Sequence, residues 1–340
     1  MMERGSAPIT RNLSPVTCSL MPTTRIQLES APTLETANRD AERLVAQKRG
    51  LYWVDLIAPT EAELNRLQQT FEFHPLSIED SSHFHQRSKV DAYDGYLFIT
   101  LYAHRFDKDK QEILADELHV FLGSNYLVTV HREPLPALLR ARERYERETE
   151  AYKKGPDFFL YLIGDELVDS YFPLLDCLET EIDDLEERIG TDPGSAVMRC
   201  IFALKQELIH LRKATGPQRE VFNALSTRHY DLIDRRLGVY FQDVYDHIVR
   251  IYEMIETHRE LLGNALDAYY SATSTRLNEV MKRLTLITTI FMPLSVLTGL
   301  GGVNFRHMPF ESRLAFGALL ASLIIVPLAM WLWFKSRKWM

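Results

Sequence analysis

Cysteine is scarce in this chain of 340 residues. The three present, Cys18, Cys177 and Cys200, lie far apart and form no Cys-x-x-Cys pair, which excludes a disulfide framework and a cysteine-built structural zinc site. Basic charge is in short supply too. The 39 Lys and Arg stand against 47 Asp and Glu, for a formal net charge of −8. No cluster of Lys and Arg is dense enough for a nucleic-acid footprint, so nucleic acid is not an expected partner. The first two dozen residues, rich in Ser, Thr and Pro, lack the apolar run of a secretion signal. Residues 1–24 are expected to form a disordered tail. The most telling absence is of charge near the C-terminus: there is none in 284–305 and none in 314–334. Each stretch has the ~20 residues that a helix needs to cross a bilayer core.

A pair of buried core helices is the alternative, but two such runs so close together would need a very large soluble core around them. The flanks fit a membrane instead. Arg276, Lys282 and Arg283 precede the first run, and Lys335, Arg337 and Lys338 follow the second, while only Arg306 and Arg313 lie between. Basic residues favour the cytoplasmic side, which places both termini there. Trp331, Trp333 and Trp339 fall where an interfacial aromatic belt would lie. The chain reads as a two-span membrane protein of the α+β class, with most of its length in the cytoplasm.

Residues 25–155 read as a cytoplasmic α/β domain. "GLYWVDLIAP" (50–59), "GYLFITLYAH" (95–104), "ELHVFLG" (117–123) and "NYLVTVHR" (125–132) are β-branched and aromatic runs bounded by turn residues. "TEAELNRLQQTF" (60–71) predicts a helix with a capping box of Thr60 and Glu63, and 134–154 predicts another. From 156 to 235 the pattern is helical and suggests a hairpin, with Leu174, Leu178, Ile182, Leu185 and Ile189 at helical spacing. A stalk helix over 236–305 is expected to continue unbroken into the first span, at about 284–302. An outer loop (303–313), a second span (314–334) and a basic cytoplasmic tail (335–340) complete the chain.

That long helix carries a stripe. Steps of three and four give Asp267, Ser271, Ser274, Asn278, Met281, Thr285, Thr288, Met292, Ser295 and Gly299. A period of 3.5 residues keeps such a row on one face of a supercoiled helix. Small and polar residues also serve helix–helix packing in membranes. A packing seam, however, does not need an Asp, an Asn and several hydroxyls in line. Polar groups turned to lipid are costly, so they should face partners or water. One two-span chain cannot enclose a channel, whereas several copies can.

"HPLSIEDSSHFHQRSKVDAYDGYLFIT", "YFQDVYDH", "RLNEVMKRLTLITTIFMPLSVLTG" and the Gly-x-Asn of "GVNFRHMP" resemble, in this order and spacing, the CorA family of divalent-cation channels. The similarity runs from about residue 50 to the C-terminus. It implies a cytoplasmic α/β funnel, a stalk helix that becomes the pore-lining span, and a homopentamer around a central pore. It further implies that Gly302-Val303-Asn304 is the selectivity triplet, with a ring of Asn304 side chains at the outer mouth. The family's pore positions fall on Asp267, Asn278, Met281, Leu284, Thr288, Met292 and Ser295, with Met281, Leu284 and Met292 as apolar constrictions. The family's cytoplasmic metal-sensing positions, shared between neighbouring subunits, fall on Glu79, Asp80, Asp165, Asp243 and His247. Mg2+, or Co2+, Ni2+ or Zn2+, is then both substrate and regulator, and no organic cofactor is implied.

The sequence departs from that pattern at the mouth. Gly301 stands where a Tyr is usual, Val303 replaces Met, and Arg306 and Phe310 occupy positions that are acidic in the magnesium-type members. Only Glu311 offers a carboxylate there, and positive charge at an entrance repels cations. The zinc-transporting branch also varies the middle residue of the triplet, which makes Zn2+ the alternative cargo, in either direction. A membrane-tethered metalloenzyme is a reading of another class, resting on His74, Glu79, Asp80, His83 and His85. The chain has no His-Glu-x-x-His, phosphate loop or nucleophile elbow, and an enzyme would leave the stripe unexplained. No catalytic residue is assigned.

Overall fold

The computed structural model describes residues 25–26, 51–107, 112–148, 155–301 and 313–337. The chain divides into two compact units, Met1–Ile182 with Ala203–Glu260, and Asp183–Phe202 with Leu261–Met340.

The first unit holds a mixed sheet of β1 (Arg25–Ile26), β2 (Tyr52–Ile57), β3 (Lys89–Tyr93), β4 (Tyr96–Asp107), β5 (Glu112–Gly123) and β6 (Tyr126–His131), in the order β1-β2-β6-β5-β4-β3. Only β2 and β6 run parallel. β6, "YLVTVH", is buried at every position, as a strand covered on both faces must be. One face packs Tyr52, Leu56, Phe98, Phe121 and Val128 against Leu64 and Leu67 of α1 (Glu61–Phe71) and Ile78 of α2 (Pro75–Ser82). Trp53 points the other way, because neighbouring strand residues alternate between faces. Its ring lies 4.9 Å from Phe159 of α4 (Pro156–Asp169), which in turn meets Tyr145 of α3 (Pro136–Arg147) at 5.2 Å. The sheet thus lies between two helical layers.

Local sequence sets the element ends. Thr60 and Glu63 form the expected capping box of α1. α3 stops at Arg147, short of the expected end at 154, and residues 149–154 lie outside those described. Tyr145 is its last buried residue, and Glu146 and Arg147, which end the helix, are exposed. β3 was not read from the sequence; it pairs with β4 through a two-residue turn, Asp94-Gly95, in which Gly95 has φ +81°.

α4 is buried at every position from Pro156 to Val168, its carboxylates Asp157, Asp165 and Glu166 included. Gly164 lets Phe222 approach: a Cβ there would lie 2.7 Å from the ring. After it come α5 (Tyr171–Thr191), α6 (Ser195–Thr227), a short 3-10 turn (Arg235–Leu237) and α7 (Gly238–Gly301). The region from 156 to 235 therefore contains three α-helices, where the sequence suggested a hairpin. All five apolar positions read along α5 are buried. α7 is a single helix of 64 residues, and α8 (Arg313–Ser336) follows. Both carry a stretch long and apolar enough to span a bilayer.

The segment after α2 is fastened to the sheet by Glu117, a buried carboxylate on β5. Its oxygens accept from the backbone N–H of His85, from Gln86 N–H at 3.0 Å and from the Tyr102 hydroxyl at 3.2 Å. His119 Nε2 lies 3.2 Å away. His85 is held at φ +109°, a conformation uncommon for a residue with a Cβ. Burial disfavours the charged form of Glu117, but the donors from His119, His85 and Gln86 outweigh it and hold the carboxyl below its ordinary range. A folded-state value below the unfolded one adds stability that is present above the unfolded value, about 4.3, and is lost as pH falls through the folded one. Glu117→Gln should therefore unfold more readily than wild type at neutral pH. The gap between their thermal midpoints, followed by circular dichroism in detergent, should close on acidification below about 4.3.

Candidate permeation helix and metal cluster

The second unit carries the stripe. Asp267, Ser271, Ser274, Asn278, Met281, Thr285, Thr288, Met292, Ser295 and Gly299 are all exposed along α7. Leu284, between Met281 and Thr288, is exposed as well. In the membrane segment the helix has a second, covered side: Leu286 is buried, and Thr289, Ile290, Pro293, Leu294 and Leu297 are half-buried. At about 100° per residue, the stripe from Thr285 to Gly299 lies roughly 150° around the helix from that side.

The stripe's hydroxyls have a defined polarity. Thr285 donates to Met281 O at 2.8 Å, Thr288 to Leu284 O at 2.9 Å and Ser295 to Phe291 O at 3.1 Å. Thr289 and Thr298, off the stripe, bond in the same way. With the proton directed to the helix's own carbonyl, each side chain presents oxygen lone pairs outward. Such a surface accepts hydrogen bonds from the water shell of a cation and offers none to an anion. Met281 and Met292, 54% and 69% exposed, interrupt the polar row with apolar rungs. Pro293 has no N–H, so the carbonyl of Thr289 loses its helical donor one residue past Met292. Gly302, Val303 and Asn304 lie outside the described residues, as do Arg306, Phe310 and Glu311.

In the first unit, three candidate metal ligands meet. Asp165 and Asp169, one turn apart on α4, and His247 on α7 bring ligand atoms within 4.8 Å of one another. Asp165 is buried, and Arg144 Nη1 donates to it at 2.6 Å and to Glu166 at 2.8 Å. Burial, followed by the charge of Asp165, raises the Asp169 carboxyl above its ordinary range. A divalent cation between the two carboxylates would relieve that repulsion; the two carboxylates suit a hard ion such as Mg2+, and the imidazole suits a transition ion such as Co2+ or Zn2+. The donor set fits a metal ion.

Of the five sensing positions read from the sequence, this cluster unites Asp165 and His247. Asp243 is exposed, one turn before His247. Glu79 is exposed on α2, and Asp80 is bound by Lys89 Nζ at 2.7 Å, which also contacts Asp91 at 2.8 Å. Neither belongs to the cluster. Asp169 was missed, although its spacing of four from Asp165 in "GDELVD" is the signal that finds it.

The family described as CorA-like Mg2+ transporter protein matches residues 48–337. The chain is 37% identical over 294 residues to the cobalt/magnesium transport protein CorA of Thermotoga maritima, covering 85% of this chain and 83% of that one. YfjQ of Bacillus subtilis is 33% identical over 303 residues, 89% of this chain and 94% of that one. Among solved structures, the CorA magnesium transporter of Methanocaldococcus jannaschii superposes with a TM-score of 0.77 at 24% identity, over 85% of this chain and 92% of that one.

Proposed function

Because the chain belongs to the family of CorA-like Mg2+ transporter proteins, we propose that it moves hydrated divalent cations, Mg2+ and Co2+ foremost, through a pore lined by the stripe of α7. Several copies must contribute that face, and the family resemblance implies five. The α/β domain and both termini are cytoplasmic in this reading, the Gly302-Val303-Asn304 turn lies at the outer mouth, and 303–313 is the outer loop. The name of the 37% identical relative favours Mg2+ and Co2+ over Zn2+ as cargo.

The observation that carries the proposal is the row of back-bonded hydroxyls on the uncovered side of α7. Mg2+ gives up its water reluctantly, and a lining of acceptors lets the hydrated ion pass without stripping it. The cytoplasmic cluster supplies feedback. Asp165, Asp169 and His247, joined across a subunit boundary by Glu79, Asp80 or Asp243, hold a divalent ion when cytoplasmic metal is plentiful and favour the closed state. A ligand shifts such an equilibrium only by its differential affinity for the two states.

Thiol accessibility tests the lining. In a background with Cys18, Cys177 and Cys200 replaced by Ser, single cysteines at Thr288, Ser295 and Gly299 should react with a water-soluble thiosulfonate and lose flux. Cysteines at Ile290, Leu294 and Leu297 should not. Equal block from both sets would remove the stripe from the ion path.

A further inference from the structure

In the first unit, apart from the metal cluster, lies a cavity of about 130 Å3 that the transport reading does not use. His104 of β4 lines it and is 5% exposed. Both of its ring nitrogens are buried with no hydrogen-bond partner among the described residues. Burial pushes the imidazole down to about 3, so at neutral pH it keeps one N–H to donate. An orphaned buried donor is costly to leave unsatisfied, so the site calls for an occupant.

Ala103, Leu135 and Pro136 give the wall an apolar part, and donors are set among them. α3, twelve residues long, points its N-terminus at the cavity, and no side chain caps it. Pro136 has no N–H, and Leu138 N–H closes on Leu135 O at 3.0 Å, which leaves Ala137 N–H as the first helical amide on the cavity wall. The positive end of the helix dipole adds to this. Arg140 also lines the cavity. Its Nε donates to Glu166 at 2.6 Å, and its terminal amino groups remain available. Arg105 neutralises the lone carboxylate of the wall, Asp116, through Nε at 2.8 Å.

We propose that this cavity is a binding site for a small oxyanion of the phosphate class, held by His104, the Ala137 amide and Arg140. A cation is disfavoured, since the one acidic group present is already paired. The volume admits a single tetrahedral ion and excludes a nucleotide base or a lipid tail. Arg140 shares Glu166 with Arg144, which also holds Asp165, so an anion drawing on Arg140 acts on the ion-pair chain that carries the metal cluster. That consequence rests on the metal-sensor reading; the binding itself does not.

The test uses the full-length protein in detergent, freed of metal with EDTA, and inorganic phosphate as the probe. Phosphate should bind saturably by calorimetry and raise the thermal midpoint. Sulfate should compete and chloride should not. Arg140→Gln removes one charge-assisted bond at a half-exposed position, leaves Glu166 paired with Arg144, and should weaken binding roughly tenfold or more. His104→Leu should weaken it as well, with a thermal midpoint in the absence of phosphate at or above that of wild type, because no buried polar group is then left unsatisfied. No saturable binding, equal competition by chloride, or unchanged affinity in Arg140→Gln would each overturn the assignment.

Discussion

Asn304→Ala is expected to reduce divalent flux to the background of empty liposomes while leaving the oligomer intact. α7 runs to Gly301, so Asn304 stands three residues past the described end of the stripe-bearing helix. Gly299, Gly301 and Gly302 precede it, and glycines let the backbone approach an axis with no Cβ in the way. An amide carbonyl accepts from a water of the hydrated ion, and a ring of them grips the shell without displacing it. Alanine has no acceptor. The loss should therefore appear for Mg2+ and Co2+ alike, with the size of the purified assembly unchanged in gel filtration. Wild-type flux in Asn304→Ala would put the selectivity step elsewhere.

Met292→Asp should have the opposite effect, a resting flux that persists at high internal metal. Met292 is the most exposed of the stripe's apolar residues and lies one turn below Ser295 and one above Thr288. Copies of it converging on an axis would leave a constriction that empties of water and blocks ions without touching them. A carboxylate at that position attracts water and cations and undoes the barrier. Met292→Ser should do the same more weakly, since it restores hydration without charge. A tightly closed channel in both variants would assign the gate to Met281 or Leu284.

What could be read from the chain follows the physics of each element. Periodic patterns were legible where one face is buried and the other is not, as along 174–189, and where a cap has a fixed spacing, as at Thr60 and Glu63. β3 was lost because "KVDAY" is only partly buried and shows little alternation of apolar and polar residues, although its Asp-Gly turn marks a hairpin. The extra length of β4 and β5 comes from their pairing with each other as far as Asp107 and Glu112, which propensity alone does not report. Of the candidate site, the stripe was visible because it is a one-dimensional pattern on one helix. The metal cluster was only half visible. Asp169 and His247 are 78 positions apart and meet only when α4 and α7 are brought together, so no local spacing joins them. His104 gave no signal at all, since an unpartnered buried imidazole is defined by its surroundings and not by its neighbours in sequence.

The central claim is that this chain, assembled with copies of itself, conducts hydrated divalent cations along the stripe of α7. The most direct measurement is Mg2+ entry into liposomes that contain the purified full-length protein and a trapped Mg2+ dye, with an inside-negative potential set by a potassium gradient. The account predicts rapid entry in wild type that is abolished by Asn304→Ala and by thiol modification of a lone cysteine at Ser295. Entry no faster than in protein-free liposomes, for Mg2+ and for Co2+, would contradict it.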